Sequence, residues 1–148
     1  EGERAILAIN RGEQRKTGGD EVLFRPETEV SEEDVLEARM QVLQTHLAEA
    51  LEEYIVQIVL ATRSPGGYGA DLEDSLQYGA SPRGTIALDR CARAHAWLDG
   101  RDFVTPEDVQ AIAPDVLRHR LLLSFEAEAA GRTSDSVIEQ LIGRIGVP

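Results

Sequence analysis

Ser81-Pro82-Arg83-Gly84-Thr85-Ile86-Ala87-Leu88-Asp89-Arg90-Cys91-Ala92-Arg93-Ala94-His95-Ala96-Trp97-Leu98-Asp99-Gly100 reads as one helix with both ends specified. Ser81 is an N-cap residue, and Pro82 takes the first-turn position, where its missing N–H costs nothing. Ala87, Leu88, Cys91, Ala94 and Leu98 fall at helical spacing and are expected on the inner face, so Cys91 reads as a buried core residue. Gly100 ends the helix. Thr105-Pro106-Glu107-Asp108 repeats the device and starts a helix whose Val109, Ile112, Ala113, Val116 and Leu117 turn inward. Two consecutive helices with defined starts and apolar stripes point to a mainly α fold.

Upstream, Ser31 and Asp34 form a variant capping box ahead of Leu36, Met40, Leu43 and Leu47, which predicts a helix over about residues 31–46. Leu51, Tyr54, Ile55, Ile58, Val59 and Thr62 share one face of a second long helix, stopped by Ser64-Pro65-Gly66-Gly67. Residues 64–80 read as a long loop with a helical turn near Leu72 to Leu76. Downstream, Leu121, Leu123, Phe125 and Ala127 alternate with more polar neighbours, so 121–128 reads as a strand or extended arm. Gly131 turns the chain into a last helix, about 134–145, with Val137, Ile138, Leu141, Ile142 and Ile145 on one stripe.

At the start, Arg4 to Ile9 reads as helix and residues 11–29 as an exposed connection, with a short strand at Val22-Leu23-Phe24. The expected organisation is therefore an opening helix and connection over 1–30 and a helical domain over 31–148, a bundle of four to five main helices with minor short-strand content. The sequence opens on Glu1 and has Met40 as its only methionine, and it reads as a piece of a longer protein.

The 148 residues suit one domain. With 15 basic and 27 acidic residues the formal charge is −12, which repels phosphate backbones and anionic lipid headgroups, so neither nucleic acid nor membrane is an expected partner. A lone cysteine excludes an internal disulfide, and the absence of a signal peptide or a long apolar run suits the cytoplasm.

The chemistry is sparse. A phosphate-binding loop needs G-x-x-x-x-G-K-[ST], whose backbone N–H groups cradle phosphates while the lysine and hydroxyl handle charge and magnesium; the sequence has none. It also lacks a hydrophobic strand ending in paired acids to hold magnesium. His46, His95 and His119 lie on different elements without a partner at ligand spacing, so no metal site is expected. What remains is Gly79-Ala80-Ser81-Pro82-Arg83-Gly84, a glycine-flexed loop feeding a helix with a cation in its first turn. The helix N-terminus is already partly positive, so an arginine there is mildly unfavourable by itself. Facing an anion, the guanidinium and the dipole act together. The competing reading is a surface arginine bridging to Asp89 or Glu73.

Gly79-Ala80-Ser81-Pro82-Arg83 resembles the GASPR motif of MoxR-type AAA+ ATPases. Leu98-Asp99-Gly100-Arg101-Asp102-Phe103-Val104-Thr105-Pro106-Glu107-Asp108-Val109 is similar to that family's L-x-G-R-x-[YF]-V-T-P-[ED]-D-V segment, and Ala113-Pro114-Asp115-Val116-Leu117-Arg118-His119-Arg120-Leu121 to its A-P-x-V-L-R-H-R-[LI] run. Tyr54-Ile55-Val56 and Ala61-Thr62-Arg63 also fit the helix before the motif. The resemblance covers roughly residues 30–142; the 64–78 loop is longer than the family pattern leads one to expect.

The resemblance implies an AAA+ lid that closes over ATP bound to a separate α/β core. Arg83 would be the sensor 2 residue, acting catalytically only with that core, and Ser81, Pro82 and Arg83 would form the ATP-binding contact. Arg118 and Arg120 are candidates for contact with a neighbouring subunit, although basic residues at a helix end are equally expected from dipole compensation. ATP and magnesium are implied for the intact parent, with none expected tightly bound to this piece, which should not hydrolyse ATP by itself. Implied partners are the lid's own core, neighbouring subunits in a ring, usually a hexamer, and a von Willebrand A domain protein, in a chaperone-like machine. Two alternatives stand beside this: a non-enzymatic helical adaptor that binds a protein partner, and the lid of a related magnesium-chelatase-like motor.

Overall fold

Paired N-cap residues and apolar stripes produce the expected helices in the computed structural model, which describes residues 28–148. The opening helix, the connection up to residue 27 and the Val22-Leu23-Phe24 strand lie outside the described residues. The chain divides into two units between Val35 and Leu36. In the first, the capping box is realised: Asp34 N–H donates to Ser31 Oγ at 3.0 Å and Ser31 N–H to Asp34 Oδ2 at 2.9 Å. The box opens helix α1 (Glu32–Gln44).

After α1 come α2 (Glu49–Arg63), a 3-10 turn (Pro65–Tyr68), α3 (Ala70–Glu73), β1 (Leu76–Tyr78) and α4 (Pro82–Leu98). Then follow α5 (Pro106–Leu117), a second 3-10 turn (Arg118–Arg120), β2 (Leu122–Leu123), α6 (Phe125–Ala129) and α7 (Ser134–Arg144). The fold is a mainly helical bundle with minor short-strand content. Leu51, Tyr54, Ile55, Ile58 and Val59 of α2 face Leu88 and Ala92 of α4, Val109, Ala113 and Leu117 of α5, and Val137, Ile138 and Leu141 of α7 in one core. Burial of each large aliphatic side chain stabilises by about 1.5–3 kcal/mol, so this cluster holds the helices together. No helix of the described residues is long and apolar enough to cross a membrane.

Several expectations are corrected. The buried stripe of α4 runs through Gly84, Leu88, Ala92 and Ala96. Cys91 is exposed and Leu98 is 75% exposed. Small residues at four-residue spacing let α4 lie close to its neighbours: a Cβ at Gly84 would sit 3.3 Å from Ala80 Cβ and 3.5 Å from Leu117 Cδ2. Close approach, not side-chain hydrophobicity, selects the inner face here. Helix α1 forms, yet Leu36, Met40 and Leu43 are exposed.

Residues 125–129 are helical, not extended, because Ser124 caps them by accepting from Ala127 N–H at 3.1 Å. Only Leu122–Leu123 remains strand, and it pairs antiparallel with β1 through Leu76↔Leu123 and Tyr78↔Leu122. The expected loop therefore contains a strand, and its helical turn lies at Ala70–Glu73. The loop is fastened to α7: the Arg144 guanidinium grips Asp71 with two bonds of 2.8 Å and donates to Tyr68 O at 2.7 Å.

Candidate functional site

The loop leading to Arg83 is held by the end of α2. Thr62, buried, donates its hydroxyl to Val59 O at 2.7 Å and accepts from Ala80 N–H at 2.9 Å. Arg63 Nε donates to Ala80 O at 2.6 Å. Ala80 is fully buried, so both of its backbone polar groups are satisfied by consecutive residues of α2. A Cβ on Gly79 would fall 2.2 Å from Thr62 O, so glycine is required for this approach. Beyond Ala80 the chain is extended at Ser81 (φ −75°, ψ 170°), and Pro82 begins α4.

Ser81 occupies the N-cap position, but its hydroxyl makes no cap bond. Its carbonyl accepts from Gly84 N–H at 2.7 Å. Ser81, Pro82 and Arg83 are all exposed. Arg83 enters none of the ion pairs among the described residues, and Asp89, one of its two expected partners, pairs with Arg93 at 2.8 Å instead. The first turns of α1, α2, α5 and α7 carry acids, as dipole compensation favours; that of α4 carries none and holds Arg83. In a chain of charge −12 this is a local reversal of the prevailing pattern.

A second polar centre lies at the other end of α4. Asp108, 1% exposed, accepts from Arg101 NH1 and NH2 at 2.6 Å each and from Thr105 N–H at 2.7 Å. His95 Nδ1 approaches its Oδ1 at 2.7 Å. The forked Arg101 guanidinium holds the Asp108 carboxyl far below the usual carboxylate range against the opposing effect of burial, with help from Thr105 and His95. Asp108 and then Asp99 raise Arg101 in turn. His95, Asp99 and Asp108 bring one ligand atom each within 4.8 Å. Both Asp108 oxygens are already bonded to Arg101, so a metal there would have to displace a guanidinium. The pairing of Arg101 with Asp108 was not anticipated from sequence; the Thr105 to Asp108 spacing, that of a capping box, was its legible part.

Arg118 is engaged within the bundle, by Asp135 at 2.9 Å and Asp115 at 2.6 Å, and Asp135 is the principal cause of its raised pKa. Arg120 donates to Val116 O and lies against His119 Nε2. The two arginines are thus at the end of α5, away from the Thr62–Ala80 junction in sequence and bonding.

Residues 70–141 match the family model described as AAA lid domain. The chain is 32% identical to the chaperone MoxR1 of Mycobacterium tuberculosis over 154 residues, covering 99% of this chain and 41% of that protein. It is 59% identical over 39 residues to the chloroplastic magnesium-chelatase subunit ChlI of Nicotiana tabacum, covering 26% of this chain and 9% of that one. The crystal structure of an ATPase candidate from Cytophaga hutchinsonii superimposes with a TM-score of 0.79 at 36% identity, covering 96% of this chain and 43% of that one. The chain therefore spans less than half the length of these relatives.

Proposed function

The chain belongs to the MoxR-type AAA+ proteins as their helical lid domain, and from this premise we propose that it closes over ATP held by a nucleotide-binding core and offers Arg83 to the phosphates. The observation that carries the reading is the start of α4: an exposed cation in an acid-free first turn, two residues after an N-cap serine whose hydroxyl makes no cap bond. That donor set suits a phosphate, because the guanidinium supplies forked bonds and the helix end adds its dipole. ATP with magnesium would supply the phosphoanhydride bond to be cleaved. Ser81 and Pro82 set where the helix starts, and Arg83 neutralises charge as it develops.

With no phosphate-binding loop of its own, the lid does not hydrolyse ATP alone; the ATPase is the parent that joins it to a core. Closure and release of the lid then act as a rigid-body switch driven by different phosphate contacts in the two states. By the same resemblance the parent works in the cytoplasm as a ring, a hexamer, with a von Willebrand A domain partner and chaperone-like remodelling as its output. Arg118 and Arg120 are proposed contacts to the neighbouring subunit. The 39-residue similarity to a magnesium-chelatase subunit supports a second reading, the same lid chemistry serving a chelatase-like motor.

The test is steady-state ATP turnover of the lid joined to its core, in wild type, Arg83→Ala and Arg83→Lys, beside thermal melts of the isolated lids. A charge-assisted bond contributes roughly 1.5–3 kcal/mol, so alanine should lower turnover by about tenfold to a hundredfold with the melt unchanged or slightly raised. Lysine should restore part of the loss. Wild-type turnover in Arg83→Ala would return that residue to an ordinary surface role.

A further inference from the structure

We propose that Thr62 and Arg63 are positioning residues for Arg83, forming a clamp at the end of α2 that fixes where α4 begins; this rests on the phosphate-facing role proposed for Arg83. The clamp takes both backbone polar groups of a single residue. Thr62 Oγ1 accepts from Ala80 N–H at 2.9 Å, and Arg63 Nε donates to Ala80 O at 2.6 Å. The Thr62 hydroxyl is oriented in turn, since it spends its proton on Val59 O at 2.7 Å and so presents only a lone pair to Ala80.

The arrangement is over-determined for a surface loop. The missing Cβ of Gly79 lets the backbone meet Thr62 O, and the buried Ala80 side chain packs beside Gly84 in the first turn of α4. Arg83 is three residues beyond the clamped peptide, with Pro82 locking one backbone angle between them. A bond lost at Ala80 therefore moves the helix start, and the guanidinium moves with it. A displacement near 1 Å at a charge-stabilising group can lower rate about a hundredfold.

Arg63 is exposed and makes its Ala80 bond from the rim, so its replacement leaves the core untouched. Thr62 is buried, so its variants carry a folding risk that Arg63 variants do not. The clamp acts on turnover only through Arg83, which distinguishes it from a general stabiliser.

The experiment is a double-mutant cycle on the lid joined to its core, measuring kcat and KM for ATP with Arg63→Ala, Thr62→Val and Thr62→Ser in wild-type and Arg83→Ala backgrounds, with a melt for each. The expected result is a kcat loss of at least several-fold for Arg63→Ala and Thr62→Val, recovery in Thr62→Ser, and no further loss from either substitution once Arg83 is alanine. Equal fold-losses in both backgrounds would overturn the clamp as a device for Arg83, as would unchanged kcat in Arg63→Ala. Should Thr62→Val not fold, Arg63→Ala decides alone. Wild-type turnover in Arg83→Ala by itself would instead overturn the phosphate reading, and the clamp proposal with it, so the two failures are told apart by the single variant.

Discussion

Arg101 lays its two terminal guanidinium nitrogens on the two carboxylate oxygens of Asp108, 2.6 Å each, and Asp108 is the most thoroughly bonded buried polar group in the bundle. The pair joins the turn after α4 to the first turn of α5, while His95 of α4 closes on the same carboxylate. The L-x-G-R-x-F-V-T-P-E-D-V stretch is thereby a structural lock, holding α4 and α5 at a fixed separation.

Removing one member of such a pair leaves the other unsatisfied. Asp108→Asn should destabilise the isolated lid by about 3 kcal/mol, at the lower end for buried pairs because Arg101 reaches solvent. Arg101→Lys should lie between that variant and wild type, keeping charge but losing the fork. Urea denaturation of the three proteins checks the ranking; an Asp108→Asn midpoint equal to wild type would contradict it.

The same contact sets a pH dependence. Asp108 has a folded pKa lowered from 3.8, chiefly by Arg101, so its contribution is complete above that ordinary value and is lost as pH falls through the folded one. The stability gap between wild type and Asp108→Asn should therefore be at its full value at about pH 5 and shrink toward pH 2. Asp71, lowered mainly by Arg144, and Asp34, lowered by Ser31, leave some acid sensitivity in the variant. A gap that stays constant to pH 2 would remove Asp108 as its source.

Two glycines should respond in opposite senses to alanine. Gly79→Ala places a Cβ against the Thr62 carbonyl, where backbone must move, and should cost about 1–3 kcal/mol. Gly143 lies in α7 with nothing within 4 Å of a built Cβ, and Gly143→Ala should stabilise by about 0.5–1 kcal/mol through backbone entropy and helix propensity. Thermal melts of the two variants read both signs at once.

The helix starts were legible because their chemistry is local: Ser31 with Asp34, Pro82 and Pro106 each announce a first turn within four residues. The inner face of α4 was not, since Gly84, Ala92 and Ala96 carry little hydrophobicity and are buried by what approaches them; Cys91 and Leu98 look more apolar and remain outside. The β1–β2 pair was missed for a related reason. Leu76 meets Leu123 across 47 positions of chain, and no short window contains that partnership. At the candidate site Arg83 stands out in the sequence by its misplacement beside a positive dipole end. The Thr62 and Arg63 bonds to Ala80 were not, because a side chain meeting a remote peptide leaves no spacing to read.

That misplacement yields a last expectation, in which stability and activity part company. Arg83 stands in a first turn without acids, whereas α1, α2, α5 and α7 begin with them. Reversing its charge in Arg83→Glu supplies the missing dipole complement and should stabilise the isolated lid by about 0.3–1 kcal/mol. Added salt should reduce that gain, since the interaction is at the surface. In the lid joined to its core the same substitution would set a carboxylate against ATP phosphates, and turnover should fall further than in Arg83→Ala. A residue kept for the fold would show both effects with the same sign. Melts at low and high salt beside ATPase rates make the comparison, and a less stable Arg83→Glu lid would show that the cation is held by contacts within the domain rather than kept for an anion outside it.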